Sequence, residues 1–137
     1  MTDAPPQDEP PEVFEDHGAL LIVKLMSDLD FVILELRRLV RPQQTWQRKL
    51  LELLADADRQ MQVFRMTEAM GKTDEDLADA GVQLGATCRK ISLAIQGSRA
   101  SGAIKSMASL VSRIGTELPK LLEAERQAYE ASLNEET

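Results

Sequence analysis

The most apolar part of the chain, residues 20–40, reads LLIVKLMSDLDFVILELRRLV. Wound as a helix, it carries two apolar stripes. The first has steps of 3, 4, 3, 4 and 3, the heptad spacing of a packed helix, and consists of Ile22, Leu25, Leu29, Val32, Leu36 and Leu39. The second consists of Leu21, Val23, Met26, Phe31, Ile33, Leu34 and Val40. Two stripes predict a helix buried on more than one side, either at the centre of a bundle or in an oligomer interface.

Helical periodicity continues through the rest of the chain. We predict helices over about 13–40, 43–70, 73–96 and 102–133, each limited by proline or glycine signals. Pro119 interrupts the last of them and predicts a kink or a split there. The fold class predicted is therefore all-α, with four long helices in an antiparallel bundle or a helical-hairpin arrangement.

The ends of the chain differ in composition from its middle. Residues 1–12 hold four of the six prolines and four acidic residues, which predicts a disordered tail, whereas 13–133 forms one helical domain and 134–137 frays. A basic start with an apolar run is missing, so no secretory signal is expected. No window approaches the roughly 18 apolar residues of a membrane span. With a single cysteine, these features predict a cytoplasmic protein.

Composition also limits the chemistry. The net charge is -7, and the chain has one histidine and one cysteine. These counts exclude a disulfide framework and a multi-cysteine metal site. No nucleophile–base pair or paired-carboxylate arrangement is indicated either. We therefore expect a protein that is not an enzyme and has no cofactor or metal.

Charge is arranged in blocks along the chain. Residues 31–66 have a net charge of +3 and residues 85–116 of +5, between acidic segments. Either acidic helices neutralise these blocks, or a basic face is left for an anionic partner such as nucleic acid. The candidate anion or nucleic-acid contacts are Arg37, Arg38, Arg41, Arg48, Lys49, Arg89, Lys90, Lys105 and Arg113.

Residues 71–78, GKTDEDLA, resemble the opening of a helix-turn-helix of the response-regulator type. That resemblance implies that Arg89 and Lys90 would lie on a DNA-reading helix. However, Gly81 and Gln83 occupy positions where the motif has buried aliphatic residues. The same segment also fits one uninterrupted helix.

Taken together, these patterns favour a non-enzymatic assembly, adaptor or regulatory protein that acts through helix–helix contacts as a homo-oligomer. Its partner would be a second copy or another protein. The second apolar stripe supplies the interface candidates, Leu21, Phe31, Leu34 and Val40. The alternative is a small DNA-associated protein, either a transcriptional regulator or the small subunit of a phage-type DNA-packaging machine, which uses its basic patches on an oligomer.

Overall fold

The computed structural model describes residues 17–71 and 74–136. They form four helices, α1 (His17–Leu39), α2 (Thr45–Ala69), α3 (Asp74–Gln96) and α4 (Gly102–Glu136), and this part of the chain contains no strand. The all-α class and the four long helices are thereby confirmed. The tail predicted over residues 1–12 and the first residues of the predicted first helix lie outside the described ranges.

The helices form a closed ring of four. Each packs against its neighbours in sequence, and α1 packs against α4; α3 and α4 make the most extensive contact and α1 and α2 the least. Neighbouring helices run in opposite directions. Where α3 and α4 meet, the numbers of the contacting residues rise along one helix as they fall along the other. Gly81 meets Leu122, Gly85 meets Gly115, and Gln96 meets Lys105. This is the up-down-up-down arrangement that short connections favour.

The core is aliphatic and follows the predicted heptad stripes. Its fully enclosed side chains include Leu29, Ile33, Leu36, Leu50, Leu54, Met61, Phe64, Leu84, Ile91, Ile95, Ile114 and Leu118. Burying one such side chain stabilises the fold by about 1.5–3 kcal/mol. Leu39 closes the predicted stripe of α1 but is exposed, and the next residue, Val40, is buried in its place.

Local signals set the helix ends. At the start of α2, the Gln47 side-chain oxygen accepts the Gln44 backbone N–H at 2.8 Å in a capping box. Beyond its end, Gly71 has φ = 68°, a left-handed conformation that glycine adopts without strain. At the start of α4, the Ser101 hydroxyl accepts the Ile104 N–H at 3.3 Å. The Gly71 stop follows the glycine signal in the sequence.

Helix α4 is continuous across Pro119, so of the predicted kink or split the split does not occur, and the kink stays a prediction. Pro119 lacks the N–H that would bind the Gly115 carbonyl. That carbonyl lies against Gly85 of α3, where an added Cβ would be 2.6 Å from its oxygen. Leu118 and Leu122 are buried on either side of the proline, and their packing offsets the cost of the missing hydrogen bond.

Helix α3 is also continuous, from Asp74 to Gln96. The tight turn of a helix-turn-helix would have to fall near Gly81, which is inside the helix and buried against Leu122. The resemblance to the response-regulator motif therefore does not extend to the fold, and the interpretation as one uninterrupted helix is confirmed.

Candidate functional site

One face of α1 is apolar but points away from the core. We call it the outer stripe, and it consists of Leu20, Val23, Ser27, Phe31 and Leu34. Each of its four apolar side chains is more than half exposed, and Phe31 reaches 65%. The steps of 3, 4, 4 and 3 keep all five residues on the side of the helix opposite Leu29 and Leu36. Such a row of large apolar side chains on a surface marks an interaction site.

The four interface candidates named in the sequence analysis lie on different parts of the structure. Phe31 and Leu34 belong to the outer stripe, whereas Leu21 is exposed but lies about 100° around the helix from Leu20. Val40 does not belong to any exposed face: it is 5% exposed and packs in the core. Its backbone N–H binds the Leu36 carbonyl at 2.9 Å, so it continues the core stripe one turn past Leu36.

Leu20 and Val23 were not among those candidates, although they complete the outer stripe. The sequence signal that could have identified them is the row of positions 20, 23, 27, 31 and 34, which contains one small polar residue, Ser27. Neither of the two stripes drawn from the sequence matches this row. The second stripe combined exposed residues of α1 with Met26 and Ile33, which belong to the core.

A shallow apolar cleft extends the outer stripe towards α4. Its volume is about 210 Å³, and it is lined by Asp28, Phe31, Val32, Glu35, Met107 and Leu110. Two of the lining residues are acidic. The cleft widens the apolar surface at Phe31 beyond a single helix face.

A second surface is defined by charge. Because neighbouring helices are antiparallel, the α1–α2 turn and the α3–α4 turn lie at the same end of the bundle. We call it the basic end, and it carries Arg37, Arg38, Arg41, Arg48, Lys49, Arg99 and Lys105, with Arg89, Lys90 and Arg113 further from the turns. At the opposite end lie Glu75 and Asp79 of α3 and Glu123 and Glu130 of α4. The molecule therefore has a basic and an acidic pole.

Few of the nine candidate cations are neutralised. Arg37 lies 3.5 Å from the Asp58 carboxylate, and Arg38 lies 2.7 Å from that of Glu35. The other seven have no carboxylate within 4.0 Å among the described residues; they are Arg41, Arg48, Lys49, Arg89, Lys90, Lys105 and Arg113. Neutralisation by a neighbouring helix thus accounts for only Arg37, since Arg38 pairs with Glu35 of its own helix.

The basic end also contains a polar groove between α2 and the α3–α4 turn. Its volume is about 450 Å³, and it is lined by Gln44, Trp46, Gln47, Ala94, Gly97, Ser98 and Arg99. The Trp46 indole N–H donates to the Gln44 side-chain oxygen at 2.8 Å, and the ring is partly buried against the core. Trp46 is thus an anchor of the bundle. Arg99, absent from the sequence-based candidates, places a further cation at this groove.

Cys88 and Glu123 are two further titratable groups whose pKa values are shifted. Cys88 is fully buried against Gly115, and burial raises the pKa of its thiol from 9.0 to about 12. The Arg126 guanidinium, through its hydrogen bonds, lowers the pKa of the Glu123 carboxyl on the exposed face of α4. No cluster of three or more histidine, cysteine, aspartate or glutamate side chains in residues 17–71 and 74–136 could hold a metal ion.

Comparison with known proteins gave no matching family, no matching curated protein and no matching solved structure. None of the four described helices has the length and apolarity needed to cross a membrane. The outer stripe of α1 and the basic end are therefore the two features from which function is inferred.

Proposed function

We propose that this protein is a non-enzymatic assembly or adaptor protein that acts through helix–helix contacts and self-associates through the outer stripe of α1. The observation that supports the proposal is the exposure of Leu20, Val23, Phe31 and Leu34 along one helix face. A second copy can cover the stripe with an identical surface, as in the two-fold dimers that dominate homo-oligomers.

The energetics of the stripe suit a reversible dimer. Fully burying one large apolar side chain contributes about 1.5–3 kcal/mol, and each of these four side chains still has more than half of its surface to bury. Eight such side chains in a dimer give a gross contribution on the order of 10 kcal/mol. Association costs about 4–15 kcal/mol in lost freedom, so flanking contacts at the cleft beside Phe31 decide the final affinity.

The test is light scattering coupled to size exclusion on the full chain. Wild type should elute with the mass of an oligomer, and the double variant Phe31→Glu with Leu34→Glu should elute as a monomer. Leu93→Glu is the matched control, because Leu93 is 74% exposed on α3 and lies off the outer stripe. A monomeric wild type, or an oligomer that the double variant leaves intact, would refute self-association through α1.

A second candidate function is association with DNA at the basic end. The observation that favours it is a set of seven candidate cations that the fold brings to one half of the bundle and that have no carboxylate within 4.0 Å in the described part of the chain. Arginine donors in such a cluster suit the phosphate backbone. An oligomer would present several basic ends at once and so strengthen a modest contact.

Retention of a short mixed-sequence duplex tests this candidate. Binding should fall steeply with added salt as counterions are released, and Arg41→Glu with Arg48→Glu should abolish it at about 150 mM salt. The matched control is Lys24→Glu with Lys120→Glu, which reverses two exposed cations outside the basic end. Equal retention by both double variants, or no retention by wild type, would exclude the basic end as a DNA surface.

A further inference from the structure

We propose that two copies of this chain pair through α1 in antiparallel orientation, with the two-fold axis passing at Ser27. The proposal rests on the proposed self-association through the outer stripe and specifies its geometry. A parallel pair would use the same residues of the outer stripe, but each residue would then contact a different residue of the other copy than in the antiparallel pair.

The first support is the symmetry of the outer stripe. Its steps of 3, 4, 4 and 3 read the same in both directions, with Ser27 at the centre. An antiparallel copy therefore places Phe31 of one chain against Val23 of the other and Leu34 against Leu20. A two-fold interface requires such a self-complementary surface.

The second support is side-chain size. In the antiparallel pair the largest residue, Phe31, meets the smaller Val23, and the two small Ser27 side chains meet each other at the axis. The Phe31–Val23 and Leu34–Leu20 pairs then have a similar combined size on both sides of the Ser27 pair, which suits the roughly 8–10 Å spacing of packed helices. In a parallel pair each residue would face its own copy. Two Phe31 side chains would then meet four positions from the two small Ser27 side chains, so the helices would be held apart at Phe31 and left unfilled at Ser27.

The third support is charge. Antiparallel pairing lays the basic end of one copy beside the acidic end of the other, whereas parallel pairing lays like ends together. Arg38 is well exposed at the end of the stripe. Arg38 lies eleven residues after Ser27, on the same side of the helix, so a parallel pair would place Arg38 beside Arg38 of the other copy.

Oxidative cross-linking of single-cysteine additions to the full chain tests the orientation. The added cysteines are Ser27→Cys, Leu34→Cys and Leu20→Cys, and wild type is the control, since its Cys88 is fully buried. In the antiparallel pair the two copies of position 34 are about 21 Å apart along the axis, far beyond the Cα separation of about 4–7 Å that a disulfide spans.

We expect Ser27→Cys alone to form a disulfide-linked dimer. Leu34→Cys alone should not, but an equimolar mixture of Leu34→Cys and Leu20→Cys should form the mixed dimer. Self-linking of Leu34→Cys, or a failure of Ser27→Cys to link while light scattering still shows a dimer, overturns the antiparallel geometry and leaves self-association standing. If the wild type and all the cysteine variants are monomeric by light scattering, both the antiparallel geometry and the proposed self-association are refuted.

Discussion

Helices α3 and α4 approach each other closely where Gly85 meets Gly115, and replacing Gly85 by alanine tests whether that approach holds the two helices together. An added Cβ at Gly85 would lie 2.6 Å from the Gly115 carbonyl oxygen and 3.2 Å from Cγ of Pro119. Both groups belong to the backbone or to a rigid ring, so neither can move without displacing α4.

The matched comparison is Gly81→Ala, one turn away on the same helix. Its added Cβ would meet only the terminal Cδ1 of Leu122, which a change of rotamer can withdraw. Each substitution gains about 1 kcal/mol of helix propensity, so that gain cancels between them. Overpacking against a rigid neighbour costs about 1–3 kcal/mol. We therefore expect Gly85→Ala to be about 1–3 kcal/mol less stable than Gly81→Ala.

Urea unfolding followed by circular dichroism measures this difference. With a urea m-value of about 1–3 kcal/mol per molar for a domain of this size, the midpoint of Gly85→Ala should lie lower by about 1 M. Equal midpoints, or a higher midpoint for Gly85→Ala, would show that the two backbones are not in rigid contact and would refute the reasoning. Light scattering on both variants checks that the oligomeric state is unchanged.

Three further outcomes are expected. Pro119→Ala should raise the free energy of unfolding by about 1–2 kcal/mol, because it restores an N–H for the Gly115 carbonyl; an unchanged melting temperature would contradict this. The thiol of unfolded Cys88 ionises above pH 9.0, but the folded thiol ionises only near pH 12, so stability should fall as the pH rises between them. Cys88→Ala should flatten that fall in urea titrations, and an identical slope would exclude the thiol as its source. Arg126→Ala should raise the pKa of Glu123 in a carboxyl NMR titration, and no change would mean that their hydrogen bond is not formed in solution.

Much of the fold could be predicted from the sequence because helix formation is local. A period of 3.6 residues, a glycine such as Gly71 and a cap such as Ser101 act within one or two turns of chain. The number of helices and most of their core positions follow from those signals. Whether Pro119 splits the last helix could not be decided from the sequence, because the packing of Leu118 and Leu122 against other helices, which offsets the lost hydrogen bond, is not local.

The candidate surfaces were predicted less completely. Phe31 and Leu34, two of the interface candidates, are exposed, but Val40 was assigned to the same face although it is buried. An amphipathic pattern shows that residues share a side of a helix, and it does not show which side meets the other helices when both sides are apolar.

What the sequence by itself determined is therefore the set of elements: four helices, an aliphatic core, and alternating blocks of charge. Only the tertiary structure decided which apolar stripe of α1 faces solvent. It also decided that the basic residues near Arg41 and those near Arg99, far apart along the chain, lie at one end of the molecule. The physical reason is that both outcomes depend on how antiparallel helices pair around the ring, and that pairing is set by contacts between residues distant in sequence.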